Sequence, residues 1–333
     1  MPDPYVRPDV AVFLDYLTRM PGPKMHELDA PAARAQFVAM KDVADLPVGD
    51  LAVIRDMDIP VAGGSIPARL FDARDDRVAG PVVVFYHGGG FVIGDIATHA
   101  AFCAEMARTL DLPVVSVAYR LAPEHPWPTA PDDAEAAARW IATAPEALGL
   151  KVASLVLAGD SAGGKLTITT AMALRDAAAA VPAIAQFPIY PAADFSRPYP
   201  SFEQFCSGYL LTREGLQYFA DAYRSDPAHV RASPLLGDCH GLPPALVLTA
   251  GLDPIRDQGR AYAAKLAEAG VAVTFREARG MIHGFVTLRR AIPSSVGDVA
   301  GALKVLKAIV AEAEADRVMA QAAGTLPSPA PTV

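Results

Sequence analysis

The sequence has few cysteines, no run of basic residues and no long apolar run, and each absence excludes a class of protein. Its three cysteines lie far apart and form no CxxC pair, which favours a reducing compartment and gives no zinc site. Aspartate and glutamate outnumber lysine and arginine by 37 to 29, so we expect no nucleic-acid partner. No stretch of 18 apolar residues could span a membrane, and the first residues lack the apolar core of a signal peptide. We therefore expect a cytoplasmic protein without a membrane partner.

Hydrophobic residues make up 52% of the 333 positions, which is enough to bury a large core. Short apolar runs alternate with helical stretches along most of the chain. Runs that are apolar throughout are typical of strands buried on both faces, and their alternation with helices predicts a mostly parallel α/β sandwich. A hairpin around Gly63 and Gly64 precedes this alternation. The predicted strands are 81–86, 113–118, 153–158, 184–190, 245–250 and 271–277, and the predicted helices are 97–110, 132–143, 163–177 and 257–269.

Three segments do not follow the alternation. Residues 1–50 carry apolar side chains at helical spacing and are interpreted as the N-terminal part of a helical cap. Residues 194–232 contain a helical stretch at 212–224 and are interpreted as a cap insertion that packs with them. The remaining parts, 51–193 and 233–318, form the predicted α/β domain. The proline-rich end, within 319–333, is interpreted as a disordered tail.

The sequence Gly159-Asp160-Ser161-Ala162-Gly163 has the pattern of an activated serine. It follows a predicted strand and opens a predicted helix, and the flanking glycines permit a sharp turn that leaves the central side chain exposed. Ser161 would then lie at a helix N-terminus, where backbone N–H groups face developing negative charge. These features predict Ser161 as a nucleophile.

A glycine-rich loop, His87-Gly88-Gly89-Gly90-Phe91, follows the strand predicted at 81–86. Three consecutive glycines let backbone N–H groups approach a ligand without interference from side chains. In hydrolases with this strand–turn–helix motif, an oxyanion hole combines such a loop with the N–H of the residue after the nucleophile, here Ala162. The loop lacks the GxGxxG spacing of a dinucleotide site.

A serine nucleophile needs a base and an acid that orients it, expected in the chain order Ser, Asp or Glu, His. His283 follows the last predicted strand and is the predicted base, whereas His240 precedes a strand and any suitable acid. Asp253 follows the strand before His283 and is the predicted acid. The alternative acids are Asp194, after the strand at 184–190, and Asp257, which is expected to face solvent or to cap a helix.

Four motifs in this order resemble those of the bacterial hormone-sensitive-lipase family (family IV) of carboxylesterases, within the α/β-hydrolase fold: His-Gly-Gly-Gly, Gly-Asp-Ser-Ala-Gly-Gly, Asp-Pro-Ile-Arg-Asp and His-Gly-Phe. The block Tyr-Arg-Leu-Ala-Pro-Glu at 119–124 is also similar to that family, and the resemblance spans about residues 55–315. It implies a mostly parallel sheet of about eight strands with a helical cap. It further implies a nucleophile at Ser161, an acid at Asp253 and a base at His283. The implied oxyanion donors are Gly89, Gly90 and Ala162, with Gly88 supporting the turn.

The chain departs from the family at Lys165, where such proteins often carry asparagine. We interpret Lys165 as a solvated helix residue, with altered local hydrogen bonding as the alternative. The resemblance is weakest over 1–50 and 194–232, which limits what it says about the substrate pocket. The candidate pocket residues are Phe91, Phe205, Tyr209, Leu210, Leu211 and Ile282, and those of the insertion are equally well explained as cap core.

The sequence therefore predicts a serine carboxylesterase that acts on a small-molecule ester of short to medium acyl chain through an acyl-enzyme, without metal or organic cofactor. The resemblance also implies a homodimer, because many members of the family dimerise. An amide, lactone or carbamate hydrolase with the same three residues is one alternative. A non-catalytic small-molecule receptor is another, although such receptors usually lack one member of the triad.

Overall fold

The structure is a computed structural model that describes residues 4–324. Within these residues eight strands form one sheet in the order β1-β2-β4-β3-β5-β6-β7-β8. Strands β3 to β8 are parallel to one another, which confirms the mostly parallel α/β architecture. The strands are β1 (Val53–Val61), β2 (Gly64–Asp72), β3 (Gly80–Tyr86), β4 (Val114–Val117), β5 (Val152–Asp160), β6 (Ala183–Ile189), β7 (Ala245–Leu252) and β8 (Val273–Ile282).

The predicted hairpin forms one edge of the sheet. Strands β1 and β2 pair antiparallel with Val61 opposite Gly64, and β2 then pairs antiparallel with β4. Gly63 and Gly64 both have positive φ, at 84° and 148°, a conformation that glycine adopts without a steric penalty.

Helices cover both faces of the sheet and bury a separate apolar cluster on each. Helices α4, α5 and α8 contribute to one cluster, and helices α3 and α9 contribute to the other. Because the central strands are covered on both sides, their residues are apolar almost throughout. The helices are α1 (Pro8–Arg19), α2 (Ala30–Ala44), α3 (Ile96–Leu110), α4 (Thr129–Ala142), α5 (Ala162–Asp176), α6 (Pro200–Phe205), α7 (Arg213–Tyr223), α8 (Arg256–Glu268) and α9 (Ser295–Ala322).

The segments outside the alternation are helical where the sequence predicts helices. Residues 4–50, the N-terminal segment, contain α1 and α2, and residues 194–232, the insert, contain α6 and α7. Thr212 caps α7 by accepting a hydrogen bond from Gly215 N–H. The domain boundaries themselves stay predictions.

The C-terminal end differs from expectation. Helix α9 continues to Ala322, so residues 319–322 are helical and do not belong to a disordered tail. The prediction for 325–333 lies outside the described residues. None of the helices within 4–324 combines the length and the apolar character that crossing a membrane requires.

Candidate active site

Ser161 lies in the tight turn between β5 and α5. Its backbone has φ 56° and ψ −114°, a region that residues with side chains rarely adopt. A Cβ at Gly163 would overlap the backbone carbonyl of Tyr86, and a Cβ at Gly159 would overlap Gly163. The two glycines therefore allow β3, β5 and α5 to approach closely enough to hold Ser161 in its strained conformation.

Three side chains from separate loops meet at Ser161. The Ser161 hydroxyl donates to Nε2 of His283 across 2.8 Å. His283 follows the end of β8, and its Nδ1–H donates to Oδ2 of Asp253 across 2.6 Å. Asp253 follows the end of β7, is fully buried, and accepts a further hydrogen bond from Ile255 N–H through Oδ1. This arrangement holds one tautomer of His283, with Nε2 available as a proton acceptor.

The alternative residues lie in other networks. Asp194 is buried, but its oxygens accept hydrogen bonds from Ser196 and from the Tyr199 hydroxyl. Asp257 accepts a hydrogen bond from Ser201 N–H at the start of α6 and forms ion pairs with Arg256 and Arg260.

The glycine-rich loop follows β3 and faces the start of α5. Gly88 N–H donates to Oδ1 of Asp160 across 2.7 Å, which fits the turn-supporting position that the family resemblance implies. Gly89 and Gly90 have positive φ, 117° and 61°, and among residues 4–324 their N–H groups have no hydrogen-bond acceptor. Ala162 is the first residue of α5, so its N–H lacks an acceptor within the helix.

A buried network behind the loop was not predicted from the sequence. Asp160 Oδ1 also lies 3.2 Å from Nε2 of His99 on α3. Burial alone would lower the pKa of His99, but the Asp160 carboxylate and, to a smaller extent, Asp95 together outweigh burial and raise the pKa above its usual value. Burial alone would raise the pKa of Asp160, yet His99, His283 and Gly88 N–H keep it below its usual value. The sequence feature that could have indicated this network is Asp160, an acidic residue inside the glycine-rich turn.

His87, in contrast, is held neutral. Burial lowers the pKa of His87 to about 4. Its ring stacks on Tyr119 with centroids 4.4 Å apart, and the Tyr119 hydroxyl donates to the backbone carbonyl of His87. His87 therefore supports the start of the loop by packing, and it carries no charge at neutral pH.

The interpretation of Lys165 as a solvated residue is wrong. Lys165 lies in the first turn of α5, but only 1% of the residue is exposed. Its Nζ lies over the rings of Phe195, Phe91 and Tyr223, at 4.4, 5.1 and 5.9 Å from their centroids. The side chain points toward the insert and the glycine-rich loop, not toward solvent as a residue on the exposed face of a helix would.

The predicted pocket residues occupy different environments. Phe91 is buried and stacks on Tyr223 of α7, with ring centroids 3.9 Å apart. Phe205 is buried against Tyr209, while Leu210 is 42% exposed. Ile282 is fully buried in the apolar cluster that α3 and α9 cover, so it contributes to the core next to His283. Leu211 is partly exposed.

Comparisons with known proteins give one consistent result. A family model described as α/β hydrolase fold matches residues 83–287. A carboxylic ester hydrolase of Mycobacterium tuberculosis, LipN, is 39% identical over 270 residues, which are 78% of this chain and 71% of that protein. An ethyl acetate hydrolase of Pseudomonas putida is 37% identical and covers 85% of this chain and 92% of its own.

The fold also matches solved structures. An ester hydrolase from the metagenome of Lake Arreo, solved with a derivative of bipyridine phosphonate, superimposes with a TM-score of 0.86 and 38% identity. The match covers 91% of this chain and 98% of that one. Architecture and sequence therefore agree over nearly the whole length of both proteins.

Proposed function

The chain belongs to the hormone-sensitive-lipase family of α/β-hydrolase carboxylesterases, and we propose that this ester hydrolase acts through Ser161, His283 and Asp253. The observation that carries the proposal is the continuous hydrogen-bonded chain from the Ser161 hydroxyl through His283 to the buried Asp253. Each side chain follows a different strand, and the chain order Ser, Asp, His is the one that this fold uses for the triad.

In the proposed mechanism, Ser161 Oγ attacks the ester carbonyl carbon while His283 Nε2 accepts the hydroxyl proton. The tetrahedral intermediate collapses when His283 returns that proton to the leaving alcohol, which leaves an acyl-enzyme. Water then attacks the acyl carbonyl while His283 Nε2 accepts a proton from it, and His283 returns this proton to Ser161 Oγ as the bond to Oγ breaks and the acid is released. Asp253 stabilises the imidazolium that forms in each step and keeps its orientation. No step needs a metal or an organic cofactor.

The N–H groups of Gly89, Gly90 and Ala162 are the proposed oxyanion hole. Support comes from the positive φ of the two glycines and from the position of Ala162 at the helix N-terminus. Preorganised donors of this kind stabilise the negative charge of the tetrahedral intermediate, and loss of one typically costs about 2.7–4 kcal/mol of barrier.

The N-terminal segment and the insert are the proposed cap. Phe219 of α7 lies against Gly90, and the carbonyl of Tyr223 at the end of α7 accepts a hydrogen bond from Trp127 N–H. A cap so close to the loop would limit the length of the acyl chain, so we propose short- to medium-chain esters as substrates. A cytoplasmic location and a homodimer are further predictions from the sequence.

Hydrolysis of p-nitrophenyl esters from C2 to C16 tests the proposal. We expect turnover of the short esters, falling toward C16, and a loss of at least about 10⁴-fold in kcat for Ser161→Ala. Ser65→Ala, an exposed serine on β2, is the matched control and should retain full activity. Equal activity of the two variants would contradict the assignment of the nucleophile, and a preference for C16 would contradict the proposed substrate class.

A further inference from the structure

Lys165 is a buried amine without a hydrogen-bond partner. Throughout the described part of the chain, no acceptor lies within hydrogen-bond distance of its Nζ. A buried lysine can donate three hydrogen bonds, and buried polar groups in native proteins are nearly always paired. The three aromatic rings attract the ammonium group electrostatically, but they satisfy none of these donors. The amine therefore has unused hydrogen-bonding capacity.

The amine also stands beside the proposed chemistry. Lys165 N–H donates to the carbonyl of Ser161, so the two residues are one helical turn apart. Side chains on a helix lean toward its N-terminus, which directs Lys165 toward the Ser161 end of α5. Phe91 directly follows the proposed oxyanion loop, and Tyr223 ends the helix that covers Gly90.

We infer that Lys165 donates a hydrogen bond to an oxygen on the acyl part of the substrate, so that the enzyme prefers acyl groups with a keto or ether oxygen. This inference rests on the ester hydrolysis and the triad proposed above. Lys165 would act as a specificity residue, because it touches a part of the substrate that does not react.

The position of His283 indicates which side of the substrate Lys165 faces. His283 would protonate the leaving alcohol, so its ring marks the side of the leaving group. The ring of His283 contacts Tyr190, with centroids 4.6 Å apart, whereas Lys165 contacts Phe91, Phe195 and Tyr223. Tyr190 is not among the rings around the amine, whereas Phe91, which directly follows the proposed oxyanion loop, is one of them, and this favours the acyl side for the amine.

A neutral acceptor fits better than a carboxylate. The Asp194 carboxylate is close enough to raise the pKa of Lys165, against the larger effect of burial, which lowers the pKa to about 7. That carboxylate would repel an anionic acyl group. The faces of the surrounding aromatic rings are electron-rich and would also disfavour an anion.

Matched esters test the inference. On the acyl side, ethyl 4-oxopentanoate is compared with ethyl pentanoate, and ethyl methoxyacetate with ethyl butanoate. On the alcohol side, 2-methoxyethyl butanoate is compared with butyl butanoate. For each pair the ratio of kcat/KM values is measured for the unsubstituted enzyme and for Lys165→Met. Differences in intrinsic reactivity cancel when the two ratios are compared.

We expect Lys165→Met to lower the ratio of at least one acyl pair by about tenfold or more, which is the typical effect of losing a charged donor. The ratio of the alcohol pair should stay unchanged. Thr169→Val, which removes a buried hydroxyl one turn further along α5, is the matched control and should leave all ratios unchanged. If the methionine variant does not fold, Lys165→Gln keeps one donor group and should retain part of the preference.

An equal loss for both members of every pair would show that Lys165 only positions the insert, and this would overturn the inference. Unchanged ratios, or a change confined to the alcohol pair, would overturn it as well. Failure of the unsubstituted enzyme to hydrolyse any ester would instead overturn the proposed function, and the inference with it.

Discussion

At the scale of single residues, backbone conformation fixes where the reacting groups lie. Ser161 has a positive φ although it carries a side chain, and this costs about 1–3 kcal/mol. The surrounding structure maintains the strain: Gly163 allows α5 to start directly against the carbonyl of Tyr86. The sequence predicted the position of Ser161 correctly because the requirement for glycine on both sides of the turn is local.

Gly90→Ala is expected to lower kcat/KM by about 100-fold or more, since a displaced oxyanion donor has an effect of this size. A Cβ at Gly90 would overlap the ring of Phe219, so the loop must shift. Phe219→Ala in the same chain should recover part of the loss. Initial rates with p-nitrophenyl butyrate measure both effects.

The control for Gly90→Ala is Gly270→Ala. Gly270 also has a positive φ, 72°, but a Cβ there meets nothing within 4 Å. This control separates the cost of the backbone conformation from that of the overlap with Phe219, and it should retain near-normal activity. A similar loss of activity in both glycine variants would contradict the argument.

At the scale of elements, Asp160 connects three of them. It ends β5, accepts a hydrogen bond from Gly88 in the loop after β3, and faces His99 of α3. The pair of Asp160 and His99 thus fixes the base of the proposed oxyanion loop from behind. Because His99 has a raised pKa and Asp160 a lowered one, this contribution to stability depends on pH.

The sign of that dependence can be predicted. The folded-state pKa of His99 exceeds its unfolded value of about 6.5, so its stabilising effect is complete below that pH and is lost as pH rises through the folded-state pKa. The lowered pKa of Asp160 means that its own contribution is present above about pH 3.9 and is lost only on acidification. His99→Gln should therefore destabilise the protein more at pH 6 than at pH 9.

Urea denaturation of the two proteins at pH 6, 7.5 and 9 measures this difference. His240→Gln is the control, because His240 also faces an aspartate, Asp238, but both side chains are largely exposed. It should show a small effect at every pH. A loss for His99→Gln that stays constant from pH 6 to pH 9 would rule out a charged His99.

Strands and turns could be predicted from the sequence where neighbouring residues alone determine the local structure. The apolar runs of β3, β5 and β7 are buried on both faces, and the glycine motifs at their ends need only neighbouring residues to be recognised. Helix α9 was missed because its first half buries Val299 and Leu303, whereas its second half exposes Val318 and Met319. No single apolar stripe runs along it. The burial of Lys165 was missed because it depends on Phe195 and Tyr223, which lie 30 and 58 positions away.

At the scale of the whole molecule, side chains of the N-terminal segment contact residues beside the site in two places. Arg34 of α2 donates to the carbonyls of Val92, next to the glycine-rich loop, and Ala122. Asp45 forms a buried, two-point ion pair with Arg289, which follows the loop of His283. Such pairs join residues 244 positions apart, so no local pattern in the sequence could reveal them.

Asp45→Ala tests the second of these connections. It would leave the Arg289 guanidinium buried without its partner, and such a loss typically costs about 3–5 kcal/mol of unfolding free energy. Replacing both residues, as in Asp45→Leu with Arg289→Met, should restore most of this stability because no charge remains buried. Urea denaturation at pH 7 measures the unfolding free energies.

Asp56→Ala, which breaks the more exposed pair with Arg69 on the hairpin, is the control and should cost about 1 kcal/mol or less. If the two single variants lose equal stability, then the buried pair does not hold the N-terminal segment against the active-site loop.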